Sequence, residues 1–156
     1  MILGYNLIVK LLLGLLLSQI HAKSPNPRDG NVTFEEFKAA TNNASILIID
    51  VRQAVELQDT GVIPSSINIP LNVLEETLTK LSPELFLKTY QREKPNFDSL
   101  IIFTCRSGNR SLQAQRIALD LGYVNSKNYP GGWLEWEQYL KDGDKSHSSA
   151  SPGKLF

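Results

Sequence analysis

The stretch "SLIIFTCRSGNRSLQAQRIALDLG", residues 99–122, contains the pattern that decides the fold of this 156-residue chain. Its apolar run "LIIF" at 100–103 predicts a fully buried strand, and a polar loop follows that strand at once. Beyond the loop, apolar residues recur at helical spacing from Ala114 and stop at Gly122, which predicts a helix that ends at this glycine. A buried strand, a short loop and a helix form the repeating unit of parallel α/β folds.

The rest of the chain alternates in the same way. "SILIID" (45–50) predicts a second buried strand that ends at Asp50, and "SINIP" (66–70) and "SKNY" (126–129) predict two shorter strands. Further helices are predicted after the capping box of Thr33 and Glu36, over 52–58, 71–81 and 83–91, and around Trp133, Trp136 and Leu140. The sequence therefore predicts a three-layer α/β fold, in which helices cover both faces of a central, mostly parallel sheet. Ligands bind at the carboxyl ends of strands in such folds, which is where Asp50 and Cys105 lie.

The domain organisation follows from shifts in composition. Residues 1–22 are strongly apolar and predict a secretory signal peptide or an uncleaved membrane anchor, with a mitochondrial presequence as the alternative. Residues 23–31 predict a linker, residues 32–140 the folded domain, and residues 141–156 a disordered tail. A signal peptide implies the secretory pathway or the extracellular space; otherwise a mitochondrial or cytosolic location is expected. The sequons at Asn31, Asn43 and Asn109 are candidate glycosylation sites in the first case.

The amino-acid composition excludes several kinds of functional site. Sixteen basic and sixteen acidic residues cancel, so charge makes no case for a nucleic-acid partner. Cys105 is the only cysteine, which excludes an internal disulfide framework and a thiolate-rich metal site. The two histidines, His21 and His147, both lie near the ends of the chain, so the predicted domain contains none.

The loop after the third predicted strand has the properties of an anion-binding site. Successive backbone N–H groups of a short curled loop point at one atom, and the helix behind them adds the positive end of its dipole. Gly108 permits a tight curl, Arg106 and Arg110 add positive charge, and Ser111 is predicted to open the helix. A cysteine that faces such a field is stabilised as its thiolate.

Missing residue types exclude the commoner thiol chemistries. Cysteine proteases and acyltransferases need a histidine base, and thioredoxin-type exchange needs a second cysteine. Two reactions of a thiolate with an anion are left open, namely phosphoryl transfer and sulfane-sulfur transfer.

The loop "CRSGNR" (105–110) resembles the active-site loop of rhodanese-like sulfurtransferases, which reads Cys, Arg, any residue, Gly, any residue, then Arg or Thr. "LIIDVR" (47–52) is similar to the first strand of that family, and "GVIPSSINIP" (61–70) to its G-H-I-P-G-A-x-N-I-P stretch. "YPGGWLEW" (129–136) is similar to the G-G-x-x-x-W ending. Two departures are that Val62 replaces the usual histidine and that Ser65 and Ser66 replace Gly-Ala.

The resemblance implies a rhodanese-like domain over residues 32–140, most similar to small single-domain thiosulfate sulfurtransferases. It implies that Cys105 is the nucleophile and that residues 106–110 cradle the substrate, while Asp50 and Arg52 support the site. The cradle residues are Arg106, Ser107, Gly108, Asn109 and Arg110. A small anionic sulfur donor and a thiol or cyanide acceptor are the expected partners, no metal or organic cofactor is implied, and a monomer is expected.

Two alternatives stay open at this point. A cysteine phosphatase or arsenate reductase of the same fold is disfavoured by loop length, because such phosphatases use C-x5-R, whereas Arg110 gives C-x4-R and position 111 is serine. A non-catalytic rhodanese-like binding module is disfavoured because such modules usually lack the cysteine.

Overall fold

The computed structural model describes residues 30–148, with side-chain burial described up to residue 143. The predicted signal peptide or anchor at 1–22, the linker up to residue 29 and the end of the tail from residue 149 lie outside the described residues. Within the described range, none of the helices combines the length and the apolar character that crossing a bilayer requires.

Four parallel strands form the sheet, in the order β2-β1-β3-β4. They are β1 (Leu47–Asp50), β2 (Ser66–Asn68), β3 (Ile101–Thr104) and β4 (Ser126–Asn128). The two central strands pair in register from Leu47 opposite Ile101 to Asp50 opposite Thr104. They therefore end at the same level, and Asp50 lies beside the residue that precedes Cys105.

Helices alternate with the strands, as the sequence predicted. They are α1 (Phe34–Ala40), α2 (Ala54–Thr60), α3 (Leu71–Lys80), α4 (Pro83–Tyr90), α5 (Asn109–Asp120) and α6 (Gly132–Ser148). The predicted capping box begins α1: Thr33 N donates to Glu36 Oε2 over 2.7 Å, and Glu36 N donates back to Thr33 Oγ1 over 3.3 Å. Ser82 Oγ likewise accepts from Leu85 N, at 3.3 Å, at the start of α4.

Each face of the sheet carries its own buried cluster. Alternate strand residues such as Ile49 and Phe103 pack with Leu74, Phe86 and Ala114 of α3, α4 and α5. The other face packs against α1 and α6, through the buried residues Phe37, Ile48, Ile102, Trp133 and Trp136. Burial on both faces explains the unbroken apolar runs of β1 and β3, and the predicted three-layer α/β fold is confirmed.

Helix α2 belongs to neither layer, because none of its residues is buried. It follows β1 at the carboxyl end of the sheet, the end where β3 passes into the loop of Cys105. This position makes α2 a wall of the site and leaves the core to the other helices.

Regular structure is present on both sides of residues 32–140. Helix α6 continues to Ser148, and i,i+4 pairs support it as far as residue 142. Lys141 Nζ lies 3.0 Å from Glu137 Oε2, and Gln138 Nε2 donates to Asp142 Oδ2 over 2.9 Å. At the other end, Asn31 forms a parallel bridge with Asn128 at the edge of the sheet.

Candidate active site

Cys105 lies directly after β3 and is only 1% exposed. Its Sγ accepts a hydrogen bond from the backbone N–H of Gly108 at 3.2 Å and contacts Ser111 Oγ at 3.4 Å. Both contacts come from the loop and the first turn of α5. The sulfur therefore lies inside the curl of the loop, where a small atom at the tip of a substrate can meet it.

The curl depends on Gly108, whose φ is +85°. A Cβ at this position would contact the carbonyl oxygen of Pro130 and lie 2.8 Å from its Cα, so only glycine fits. Because Gly108 caps the helix, α5 begins at Asn109, two residues earlier than the predicted start at Ser111. Ser111 instead lies buried in the first turn, beside the sulfur.

The loop leaves a set of backbone donors without acceptors. Within the described residues, the N–H groups of positions 106, 107, 109, 110 and 111 donate to no protein atom. They flank the one amide that does bind sulfur, that of Gly108. Free amides at a helix N-terminus, behind a glycine turn, form a cradle for negative charge.

The first turn of α6 is hydrogen-bonded to the backbone of the Cys105 loop. Trp133 N donates to the carbonyl oxygen of Cys105 over 2.7 Å, and Leu134 N donates to that of Arg106 over 3.1 Å. Gly132, at φ +58°, lets the helix approach this closely, because a Cβ there would lie 2.6 Å from the Cys105 oxygen. The second glycine of "YPGGWLEW" thus has a physical purpose, because it lets α6 dock on the loop carbonyls.

The two arginines of the loop differ in their surroundings. Arg106 is exposed, and its side chain makes no hydrogen bond or ion pair with any residue that the structure describes. Arg110 forms a two-pronged ion pair with Glu56 of α2, with Nη1 2.6 Å from Oε2 and Nη2 2.8 Å from Oε1. The sequence predicts that both guanidiniums face the substrate, whereas the structure directs Arg110 to a carboxylate of the protein.

Glu56 is the site residue that the sequence analysis missed. Its Oε2 also accepts from Gln53 N at 2.9 Å, so the carboxylate caps α2 and binds Arg110 at once. The hydrogen bonds from Arg110, offset in part by burial, lower the pKa of Glu56 to about 2, and the same pairing raises the pKa of Arg110. No local pattern connects two residues that lie 54 positions apart, so the sequence offers no signal for this pair.

Asp50 and Arg52, predicted as supports, form a buried ion pair next to the loop, with Arg52 Nη2 2.7 Å from Asp50 Oδ2. The guanidinium also donates to Thr60 Oγ1 at 2.8 Å and to the carbonyl oxygen of Gly61 at 3.0 Å. Its carbon lies 4.7 Å from the centre of the Trp133 ring. One side chain thus ties the end of β1 to both the end of α2 and the start of α6.

The predicted residues form one group, since Cys105, residues 106–110 and the Asp50–Arg52 pair all lie at the carboxyl end of the central strands. Ser107 and Asn109 are exposed and flank the buried Gly108. The cavities that share Lys94 and Asn96 in their lining lie elsewhere and include none of these residues. Among residues 30–148, no cluster of histidine, cysteine, aspartate and glutamate side chains is suited to hold a metal ion.

Comparison with known proteins agrees with this geometry. A model of the rhodanese-like domain family matches residues 33–139. A rhodanese domain-containing protein of Drosophila melanogaster is 50% identical over 106 residues, which cover 68% of this chain and 95% of that protein. The human thiosulfate:glutathione sulfurtransferase is 36% identical over 106 residues, or 67% of this chain and 90% of the human protein.

A solved structure agrees as well. A human single-domain sulfurtransferase matches with a TM-score of 0.64 and 34% identity, over 70% of this chain and 96% of the human chain. The described domain thus corresponds to nearly the whole of that enzyme. The chain therefore belongs to the rhodanese-like domain family, as a rhodanese-type transferase.

Proposed function

We propose that this protein moves the outer sulfur atom of thiosulfate, or of a similar anionic donor, through a persulfide on Cys105 to a thiol or to cyanide. The observation that carries the proposal is the position of Cys105 Sγ. It lies against Gly108 N at 3.2 Å and Ser111 Oγ at 3.4 Å, in a loop whose neighbouring amides donate to no protein atom among the described residues. Names of relatives support the same chemistry, including the human thiosulfate:glutathione sulfurtransferase.

In the first half-reaction the Cys105 thiolate attacks the outer sulfur of thiosulfate. A bond forms between the two sulfurs, the bond between the outer and central sulfur of the donor breaks, and its electron pair leaves with sulfite. The enzyme retains a persulfide with one negative charge, so atoms and charge balance. The Gly108 amide stabilises the attacking thiolate before the bond forms, and the single proton of the Ser111 hydroxyl is shared between Sγ at 3.4 Å and the Gly108 carbonyl oxygen at 3.0 Å.

The persulfide requires hydrogen-bond donors at a second position, which is one sulfur atom further from the Cys105 side chain than the thiolate. The unpaired amides of the loop are the candidates, because they neighbour the Gly108 amide that binds the sulfur and lie at or just before the N-terminus of α5. They are held in position in advance by the hydrogen bonds from α6 to the loop carbonyls, so little reorganisation is needed when charge arrives.

In the second half-reaction an acceptor thiolate attacks the outer persulfide sulfur. The new bond makes the acceptor a persulfide, and the electron pair of the broken bond returns to Cys105 as the thiolate. Glutathione is the acceptor that the name of the human relative suggests, and cyanide would leave as thiocyanate by the same displacement.

The surroundings of Arg110 disfavour the phosphatase alternative. A C-x5-R phosphatase directs its arginine at the phosphate from the far side of the loop, whereas Arg110 is bound to Glu56 and position 111 is a buried serine. The burial of Cys105 also favours a donor whose reacting atom is terminal.

A direct test is to incubate the purified chain with thiosulfate and weigh it intact. We expect a gain of one sulfur atom that disappears on addition of glutathione, with sulfite released in equal amount. The Cys105→Ser variant, which changes one atom, should gain nothing. No gain on the wild-type chain, or release of phosphate from an aryl phosphate in a Cys105-dependent manner, would overturn the proposal.

A further inference from the structure

The ion pair between Glu56 and Arg110 has an unusually complete set of contacts for a residue pair near the surface. The two terminal guanidinium nitrogens of Arg110 donate to the two carboxylate oxygens of Glu56, at 2.6 and 2.8 Å, and the side chains are 32% and 27% exposed, respectively. The backbone N–H of Gln53 donates to the same carboxylate at 2.9 Å and fixes it to the first turn of α2. Arg110 is therefore held against the wall formed by α2, in a planar two-bond geometry that favours one orientation.

This pairing changes the charge that a substrate meets. With both arginines free, the loop would present two positive charges to a donor. Glu56 cancels one of them, and the buried Asp50–Arg52 pair is neutral as well. Arg106 is then the charge on the loop that has no partner among the described residues.

We propose that Glu56 is a positioning residue that withholds Arg110 from the substrate, so that Arg106 alone binds the anionic end of the sulfur donor. That the bound anion is a sulfur donor rests on the proposed function. The proposal gives the two arginines of the loop different roles. Arg106 attracts and orients the donor, while Arg110, fixed by Glu56, holds the first turn of α5 beside Cys105. One arginine thereby maintains the geometry of the loop amides, and the other recognises the charge of the donor.

Alkylation of Cys105 tests the roles of the two arginines without any need for sulfur transfer. Iodoacetate and iodoacetamide are nearly equal in size and react with the same thiolate, but only the first is an anion. The ratio of their rates cancels the amount of thiolate and reports the charge at the opening. Because Cys105 is the only cysteine of the chain, the intact mass gives both rates without ambiguity.

Three variants distinguish the roles. Arg106→Gln should lower the iodoacetate-to-iodoacetamide ratio by about three- to fivefold, the factor expected for one unit charge a few ångströms away in water. Glu56→Gln should raise the ratio by a similar factor, and both effects should shrink at high salt. The double variant E56Q/R110Q removes a neutral pair, so its ratio should stay within about twofold of the wild type.

The matched control is Glu76→Gln, which makes the same change in net charge at an exposed pair with Lys80 on α3. Its ratio should equal that of the wild type. In steady-state assays with thiosulfate, Arg106→Gln should raise KM more than it lowers kcat, as expected for a group that binds the donor.

The proposal is overturned if E56Q/R110Q lowers the ratio as far as Arg106→Gln does, because Arg110 would then be the anion-binding group. It is also overturned if Arg106→Gln or Glu56→Gln leaves the ratio unchanged, or if Glu76→Gln shifts it as much as Glu56→Gln does. Circular dichroism and thermal melts establish that each variant is folded, and the two single variants decide the matter if the double variant is not. A failed sulfur-gain assay with the expected ratios would refute the transferase and leave the charge assignment standing.

Discussion

Replacement of Arg52 by methionine is the sharpest test of how the site is supported. The guanidinium is 1% exposed and is bound to Asp50, Thr60 and Gly61, so its removal leaves the Asp50 carboxylate buried beside only one strong donor, the backbone N–H of residue 52. Loss of one partner of a buried ion pair costs about 3–5 kcal/mol. That is a large part of the roughly 5–15 kcal/mol that stabilises a domain of this size.

Equilibrium unfolding in urea provides the measurement. Trp133 packs on the guanidinium at 4.7 Å, so its fluorescence reports the same region. We expect the free energy of unfolding to fall by about 3–5 kcal/mol, with the melting temperature about 10–25 °C lower. Lys80→Met is the matched control: its ion pair with Glu76 is mostly exposed, and its loss should cost less than about 0.5 kcal/mol.

A second variant separates the unpaired charge from lost packing. In D50N/R52M the carboxylate is removed together with its partner, so about half or more of the lost stability should return. The reasoning would be refuted by a cost below about 1 kcal/mol for Arg52→Met, or by a double variant no more stable than the single one.

The remaining predictions concern the loop, the wall and the first helix. Gly108→Ala should lower the free energy of unfolding by about 1–3 kcal/mol and abolish sulfur uptake, because a Cβ meets Pro130 and φ is +85°; an active, undisturbed variant would contradict this. Since the pKa of Glu56 is lowered to about 2, its stabilisation is complete above pH 4.5 and is lost as the pH falls toward 2. Acid titration of stability should show a loss of about 1–2 kcal/mol over this range that Glu56→Gln removes, and equal profiles would argue against the pair. Thr33→Ala should cost about 1 kcal/mol in urea unfolding, through loss of the α1 cap, and no measurable change would exclude that role.

The fold and the position of Cys105 after a buried strand were predictable because they depend on local pattern. Unbroken apolar runs at β1 and β3 require burial on both faces, and the polar residues that follow them mark the carboxyl end of the sheet. Cys105 and Gly108 could be placed from these runs and from the composition of the loop alone. The resemblance of "CRSGNR" to a known loop added the chemistry.

The partners inside the site could not be predicted in the same way. Whether Arg110 faces substrate or protein depends on where α2 lies, and α2 is placed by the packing of the chain around it. The predicted start of α5 at Ser111 is wrong. Serine is a residue type that often caps helices, but the left-handed residue Gly108 caps this helix, which therefore begins at Asn109. The length of α6 could not be predicted either. The i,i+4 pairs of Lys141 with Glu137 and of Gln138 with Asp142 continue the helix into a segment whose small polar residues are typical of disorder.

The hydrogen bonds from α6 to the loop carbonyls have a consequence for biosynthesis. Trp133 and Leu134 belong to the last helix, so they leave the ribosome after every strand and every other helix of the domain. A nascent chain that has folded its sheet already carries Cys105, but its loop carbonyls are unbound until α6 docks. Under the proposed function, reactivity of the thiol toward sulfur donors depends on completion of the fold, and a chain truncated before Gly132 would carry Cys105 without the hydrogen bonds that hold its loop.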